Sequence, residues 1–543
     1  MPIPTPAAFP VEWEQADAAE QTWNRDTHHR PDAIPELEAD FWDQTGSGWL
    51  DTDKILATEP ISHQEYRCIN GYLYSYNRLL VAEDQQEAVK ERNKAPMAKA
   101  IEDMERRWNE EWLPEIQRCL SFWDEFELDQ ASHSDLDAHL QTTWQPLARL
   151  WTIHFAIVLP AYGAMNNLAD YYDELFADGE DQADPFAAQR LFQAMPNLTV
   201  EMGHALWDLS RQALENPALH QMLRAPDCTL ETLRASTQGR EFAAALDHYL
   251  DHYGHRAPTW TLFHPTWRED PAPVFKNLRE YLEPGARNPR LEAEKLVAER
   301  DAAITSTRER LSGYPQPARE RFEHLLELAQ VGMTLSEDHG VYIDFAVTAR
   351  VRYVLLACGR RLVDIGSIAA TEDVLFLHYD ELRATLVTDS PAHHRALVQQ
   401  RRAAFEHFSA ITPPDRLGVE PPPEEKKEEQ EKDCESDDRT LRGTPCAPGT
   451  VRGSVRILRS MTETDAIQPG EIMVATATNP SWTPLFNTIG AIVTQDGGKL
   501  SHGAVLAREY RIPAVLGVKD IHRLRDGQRV EIDGSAGTIR LLD

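Results

Sequence analysis

The residues best suited to chemistry lie near the C-terminus, where the chain reads QDGGKLSHGAVLAREYRIPAVLGV, Gln495 to Val518. Gly497 and Gly498 allow positive φ and a close approach of backbone to a ligand. Ser501 occupies the expected N-cap of an amphipathic helix, which puts His502 in its first turn. That end of a helix offers unpaired N–H groups and the positive end of the dipole, so it favours an anion and disfavours a cationic imidazole. A neutral imidazole there is a nucleophile, and a phosphoryl group on it would rest among backbone donors. The pattern suits a covalent phosphohistidine better than a metal ligand. A histidine that only packs behind a glycine turn is the competing reading.

A second constellation is SEDHGVYIDFAVTARVRYVLLACGRRLVDIG, beginning at Ser336. Read as one helix, it carries Val347, Val351, Val354, Cys358 and Leu362 on an apolar stripe. Extended backwards, the stripe reaches Asp344, Gly340 and Glu337. Two inward carboxylates are costly unless partnered, so they mark either a site or salt bridges to Arg350, Arg352 or Arg256. Such a carboxylate could take the proton of an attacking hydroxyl. His339 lies off the stripe of an ideal helix and would act only if SEDHG were a cap. Whether Glu337, His339 or Asp344 is the base stays open. Upstream, DHYGHRAPTWTLFHPTW supplies Arg256 as a clamp for a phosphoryl group. His255, Trp260 and Phe263, with Tyr342 and the Tyr-rich NGYLYSYNR, are candidate walls of an apolar acceptor pocket; a packed core is the alternative. The histidine spacing matches no common zinc pattern, so no metal site is expected.

The elements that must hold these residues fall into two blocks. A chain of 543 residues exceeds one ordinary core. Residues 1–411 read as a mostly helical domain, with apolar spacings of three and four in segments such as LTVEMGHALWDLSRQALE and a stop at Gly313-Tyr314-Pro315. Residues 441–543 read as short β-branched strands (TVRGSVRIL, EIMVATAT, AIVTQD, PAVLGV, RVEIDG, TIRLL) around the helix SHGAVLAREY, with a second helix near Trp482–Asn487. Between them Thr412–Asp438 is rich in proline and charge, and 412–440 is expected to be a mobile linker. The net charge of −33 argues against nucleic acid or an anionic membrane as partner. Six scattered cysteines suit a reducing cytoplasm. No leader is expected at the N-terminus, and LWTIHFAIVLPAYGAM, interrupted by His154 and Pro160, is too short for a membrane span.

The string GG-x-x-SH-x-A-x-x-AREY-x-IPAV-x-G resembles the phosphohistidine signature of the phosphoenolpyruvate-utilising enzymes. The resemblance runs from GTPCAPGTVRGSVRIL to VEIDGSAGTIRLL and implies a swivelling β/β/α domain with His502 as its phosphorylated residue. Gly503 stands where Ala or Thr is usual, a change expected to be harmless. More weakly, WNRDTHHRPDAIPEL, PNLTVEMGHALWDLSRQA, YGHRAPTWTLFHPTWREDP and LVDIGSIAATEDVLFLHYDEL resemble the acceptor domain of rifampin phosphotransferases. Those enzymes carry R-E-x-x-K where this chain has SEDHG, so Ser336 and Gly340 replace the Arg and Lys and the drug itself is not the expected substrate.

The resemblance implies a large helical acceptor domain followed by a small swivelling phosphohistidine domain. The chain has no G-x-x-x-x-G-K-[ST] loop, and neither an ATP-grasp domain nor a phosphoenolpyruvate barrel is legible in it. The expected arrangement is that of split phosphotransferases acting on small aromatic hydroxyl compounds. A partner ATP-grasp subunit would hold ATP and Mg²⁺, and no cofactor would be tightly bound here. A phosphorelay to a protein acceptor, or phosphoenolpyruvate as donor, is the alternative.

Overall fold

The computed structural model describes residues 2–13, 16–27, 29–176, 184–258, 260–388, 393–421, 439–459, 463, 466–478 and 480–542. The first block is built on long helices. The axis of its core is the helix Leu147–Phe176, whose buried side carries Leu150, Trp151, Ile157, Ala161, Ala164 and Leu168. The helix Gln316–His339 runs beside it and buries Phe322, Leu326, Ala329 and Met333. They pack tightly at Gly332, where an added Cβ would stand 2.8 Å from the Ala161 carbonyl oxygen. A side chain there would force the helices apart, so glycine sets their spacing.

Beyond His339 the helix continues through a π-turn, Gly340–Phe345, into Ala346–Asp364. SEDHG is therefore helix interior, not a cap. Val347, Val351, Val354, Cys358 and Leu362 are all buried, as the stripe requires. A second long helical run has the same form: Glu83–Arg107, a π-turn and Leu113–Asp124 follow one another.

The helical block contains a four-stranded sheet that its helical periodicity did not announce. β1 is Thr22–Arg25, β2 Ser62–Ile69, β3 Tyr72–Leu79 and β4 Arg416–Gly418, in the order β2-β3-β1-β4. NGYLYSYNR is the turn and β3 of a hairpin. Asn70 and Gly71 have φ of 52° and 82°, as a tight primed hairpin turn demands. β4 corrects the expected linker. Leu417 is fully buried and pairs with Trp23, so the chain stays in the first block through Gly418. At the other end, Thr440–Arg442 is already a strand of the second block. Residues 422–438 of the expected linker lie outside the described residues.

In the second block β5 (Thr440–Arg442), β6 (Thr444–Ala447), β7 (Thr450–Ile457), β8 (Ile472–Ala475), β9 (Ala491–Thr494), β10 (Ala514–Leu516), β11 (Arg529–Asp533) and β12 (Thr538–Leu541) form one sheet. Its order is β5-β12-β11-β7-β8-β9-β10-β6. β7, β8, β9 and β10 pair with one another in parallel, while the outer pairs β11–β7 and β10–β6 are antiparallel, and β8, β9 and β10 are buried at every residue. That is the apolar signature of a covered parallel centre. The helix His502–Glu509 crosses between β9 and β10, and Pro480–Asn487, expected as a helix, is a 3₁₀ helix between β8 and β9.

The stretch His133–Phe176 is long and apolar enough to cross a membrane by length and composition, yet 56% of its most apolar window is buried inside the protein.

Candidate active site

The loop before His502 is held from behind. Gly497 takes φ 112°, a conformation that suits glycine, whereas Gly498 is not in the positive-φ region. Ser501 is at the N-cap position but does not cap; its hydroxyl donates 2.8 Å back to the Gly498 carbonyl. The buried Arg508 guanidinium donates to the carbonyls of Cys446, at 3.0 Å, and Lys499, at 2.8 Å. An arginine one and a half turns into the helix thus fixes the turn that aims the histidine.

His502 meets the first block. Its Nδ1 lies 3.1 Å from Glu337 Oε1, and its Nε2 is buried with no hydrogen-bond partner among the described residues. The surrounding contacts are mostly polar. Glu509 accepts from the Ala194 N–H at 2.7 Å, and Lys499 donates to the Pro185 carbonyl at 3.2 Å. Arg511 pairs with Glu292 and Glu299, and Thr488 donates to Glu280. Val505 and Leu500 add a small apolar contact to the core beneath Leu168 and Met333. Burial pushes the Glu509 carboxyl up to about 7. A contact of this composition can open and close.

The two inward carboxylates contact histidines, and two of the three arginines weighed as alternative partners are paired elsewhere. Arg350 is paired with Asp124 and Arg352 with Glu269. Asp344 Oδ1 lies 2.8 Å from Nδ1 of His154, on the neighbouring helix. Burial opposes ionisation of Asp344, and the adjacent His154 and His339 more than offset it, so its pKa lies below the ordinary value. His339 is buried, 5% exposed, and its ring meets that of His154 edge to face at 4.7 Å. Burial lowers its pKa to about 4, so it is neutral near pH 7.

Two features bring these groups together. His339 is seven residues beyond Gly332, and His154 is seven residues before Ala161. Seven residues are about two helical turns, so the antiparallel contact at Gly332 places the rings opposite one another. In an ideal α-helix residues 339 and 344 would diverge by about 140°. The π-turn between them inserts an extra residue and returns both to one side. That is why His339, off the stripe by α-helical arithmetic, faces inward.

Beside them is a cavity of about 280 Å³ lined by Trp42, Trp49, Trp151, Phe155, Trp260 and Tyr66, with His29, Arg30, His154 and Asp344 among its polar groups. Arg30 lies over the Trp42 ring at 3.1 Å and pairs with Asp26. His29 stacks on Trp260, whose indole nitrogen is buried without a partner among the described residues.

Of the expected pocket walls, Trp260 lines the cavity. His255 points to the Tyr353 hydroxyl at 3.4 Å, Phe263 packs on Phe405 and Phe376, and Tyr342 packs on Trp108, so these three belong to the surrounding core. Arg256 is buried beside the Phe345 ring and donates to Thr199 at 3.2 Å. Burial lowers its pKa to about 10, while the field of Glu337 supports its charge. The walls that sequence reasoning missed come from the helix carrying Trp151, His154 and Phe155, and from Arg30 and Trp42 after β1. The signal for the first group was a histidine at helical spacing from a tryptophan in an otherwise apolar run.

Residues 154–337 match the family described as rifampicin phosphotransferase fourth domain, and 467–537 match the PEP-utilising enzyme mobile domain. Chondramide synthase cmdD of Chondromyces crocatus is 34% identical over 99% of this chain and 14% of its own length. The uncharacterised phosphotransferase YvkC of Bacillus subtilis is 30% identical, over 72% of this chain and 47% of its own. Rifampicin phosphotransferase of Streptomyces sviceus is 33% identical, over 66% and 41%. The chain thus spans less than half the length of each of these relatives.

Proposed function

As this chain is a member of the phosphoenolpyruvate-utilising family and resembles rifampicin phosphotransferase, we propose that it is a phosphotransferase in which His502 carries a phosphoryl group to the hydroxyl of a small aromatic compound. The observation that carries this reading is the placement of His502: hydrogen-bonded to Glu337, two residues from His339 and its ring contact with His154 in the cavity wall.

Glu337 accepts the Nδ1 proton of His502 and so leaves Nε2 as the nucleophile. With the proton held on Nδ1, the phosphorylated ring is cationic and departs as neutral imidazole. In transfer, the acceptor oxygen forms a bond to phosphorus, its proton passes to a phosphoryl oxygen, the P–Nε2 bond breaks, and its electron pair returns to Nε2. The acceptor hydroxyl is polarised at the His154–His339–Asp344 cluster, and Arg256 supports the phosphoryl charge. The aromatic cavity excludes water, which would otherwise hydrolyse the phosphohistidine.

The donor in this proposal is ATP with Mg²⁺ on a separate ATP-grasp subunit, with AMP and phosphate formed overall, in the cytoplasm. The second block would swivel between that site and the cavity. An aromatic cavity of this size supports a small-molecule acceptor over a protein relay.

The test is ATP labelled at the β-phosphate, mixed with this chain and candidate ATP-grasp proteins. Acid-labile label on the wild type and not on His502→Ala, discharged by a small aromatic hydroxyl compound, is expected. Label that persists in His502→Ala would remove the central residue of the scheme.

A further inference from the structure

Three side chains between the two long helices turn donor atoms toward one another. Imidazole nitrogens of His154 and His339 and a carboxylate oxygen of Asp344 all lie within 4.8 Å of each other. They come from two helices and from both sides of the π-turn, so no sequence spacing would reveal them.

The hydrogen bonding around them is that of ligands. His339 Nδ1 lies 2.9 Å from the Leu335 carbonyl, which fixes the ring proton there and leaves the Nε2 lone pair available. Metal-bound imidazoles are commonly anchored by a backbone carbonyl in this way. His154 Nδ1 is 2.8 Å from Asp344 Oδ1, yet it is buried and has no aligned hydrogen-bond partner among the described residues. A hydrogen bond would put N–H and O in line. Two atoms able to ligate a metal therefore lie side by side. Glu337, also buried, adds a second negative charge close by.

We propose that His154, His339 and Asp344 bind one divalent transition-metal ion of the zinc class, whose open position receives the acceptor's hydroxyl oxygen. Two imidazoles and a carboxylate with one free position are the ligand set of catalytic zinc. Ligand atoms around tetrahedral zinc are about 3.3 Å apart, so the widest pair must draw in by about 1.5 Å on binding. His154 and Asp344 both line the cavity, which puts the open position on its acceptor side.

This inference rests on the phosphotransferase reading only for its role. There the metal-bound hydroxyl passes its proton to a phosphoryl oxygen, the hydroxyl oxygen bonds to phosphorus, and the P–Nε2 pair returns to His502. Binding itself needs no substrate.

The test is titration of the metal-stripped full chain with Zn²⁺ and Co²⁺, without ATP, partner or acceptor. One equivalent of tightly bound ion is expected, with visible Co²⁺ bands of a low-coordinate N/O site. His154→Ala and Asp344→Asn should each weaken binding at least about 100-fold, and His502→Ala should retain it. X-ray absorption of the zinc-loaded wild type should show two imidazoles and no sulfur, a result that stands even if a variant fails to fold. A wild type that binds neither ion overturns the proposal, as does a site without imidazole or unchanged affinity in the folded variants. Absence of label on His502 would overturn the phosphotransferase reading and leave this result standing; absence of metal would do the reverse.

Discussion

His502 Nδ1 and Glu337 Oε1 are 3.1 Å apart although 165 positions separate the two residues in the chain. The contact joins the first turn of a mobile-domain helix to a helix of the acceptor block. It places His502 with its other nitrogen buried and without a hydrogen-bond partner among the described residues.

Glu337 should therefore matter more for discharge than for loading. Glu337→Ala should leave loading of His502 by the donor intact and slow transfer to the acceptor by about 10²-fold, the ordinary scale of such assistance. Glu337→Gln, which can still accept from Nδ1, should fall between. A single-turnover chase of labelled protein separates the steps. Equal loss of loading and discharge would show that Glu337 acts elsewhere.

Docking should weaken as pH rises. Burial raises the Glu509 pKa to about 7 in the docked state, above its value of about 4.3 in water. The docked state binds more protons, so protonation favours docking. The penalty on docking is absent below about pH 4, grows through the interval and is complete above the docked value. Interdomain energy transfer between labels in the two blocks should report more undocked protein at pH 8 than at pH 6. Glu509→Gln should flatten that dependence. A wild-type profile no steeper than the variant's would remove Glu509 as its origin.

Gly503 should resist the residue usual in the family. An added Cβ would stand 2.2 Å from Thr478 Oγ1, so the expected harmless exchange is coupled to a neighbour. Gly503→Ala should cost about 1–3 kcal/mol of stability, as overpacking does. Thr478→Ala should restore part of that loss. Thermal unfolding of the two single variants and the double variant measures the coupling; additive losses would show that the hydroxyl simply turns away.

Aromatic acceptors should depend on the cavity wall. Trp260→Ala should raise KM for the acceptor by about tenfold with a smaller change in kcat, because it removes binding surface and no reacting group. Phe263→Ala, outside the cavity, should affect stability before KM. Steady-state kinetics on both variants, beside their melting curves, decides between the two effects.

The second block was legible because its signals are local. Strand runs, the glycine turn and the position of His502 lie within a few residues of one another, and local backbone preferences fix them. The GG-x-x-SH string also carried a family resemblance, which named the chemistry. The buried positions Val347, Val351, Val354, Cys358 and Leu362 followed from apolar periodicity, whereas the inward turn of His339 did not.

The acceptor site was not local, and its assembly was decided by packing. Gly332 against Ala161 sets the helix spacing that makes His154 meet His339. The π-turn, invisible to a constant 100° per residue, brings His339 and Asp344 to one side. β4 closes a sheet with a strand some 390 residues away in the chain, so Pro-rich composition around it read as linker. His255, Phe263 and Tyr342 were plausible pocket walls by type, but residue type does not say which aromatics converge. The sequence by itself determined the second domain, the place of His502 in its glycine turn and the reaction class that the family implies. Only the tertiary structure decided what that histidine faces, because helix spacing and one extra residue in a turn set the direction of every group in the site.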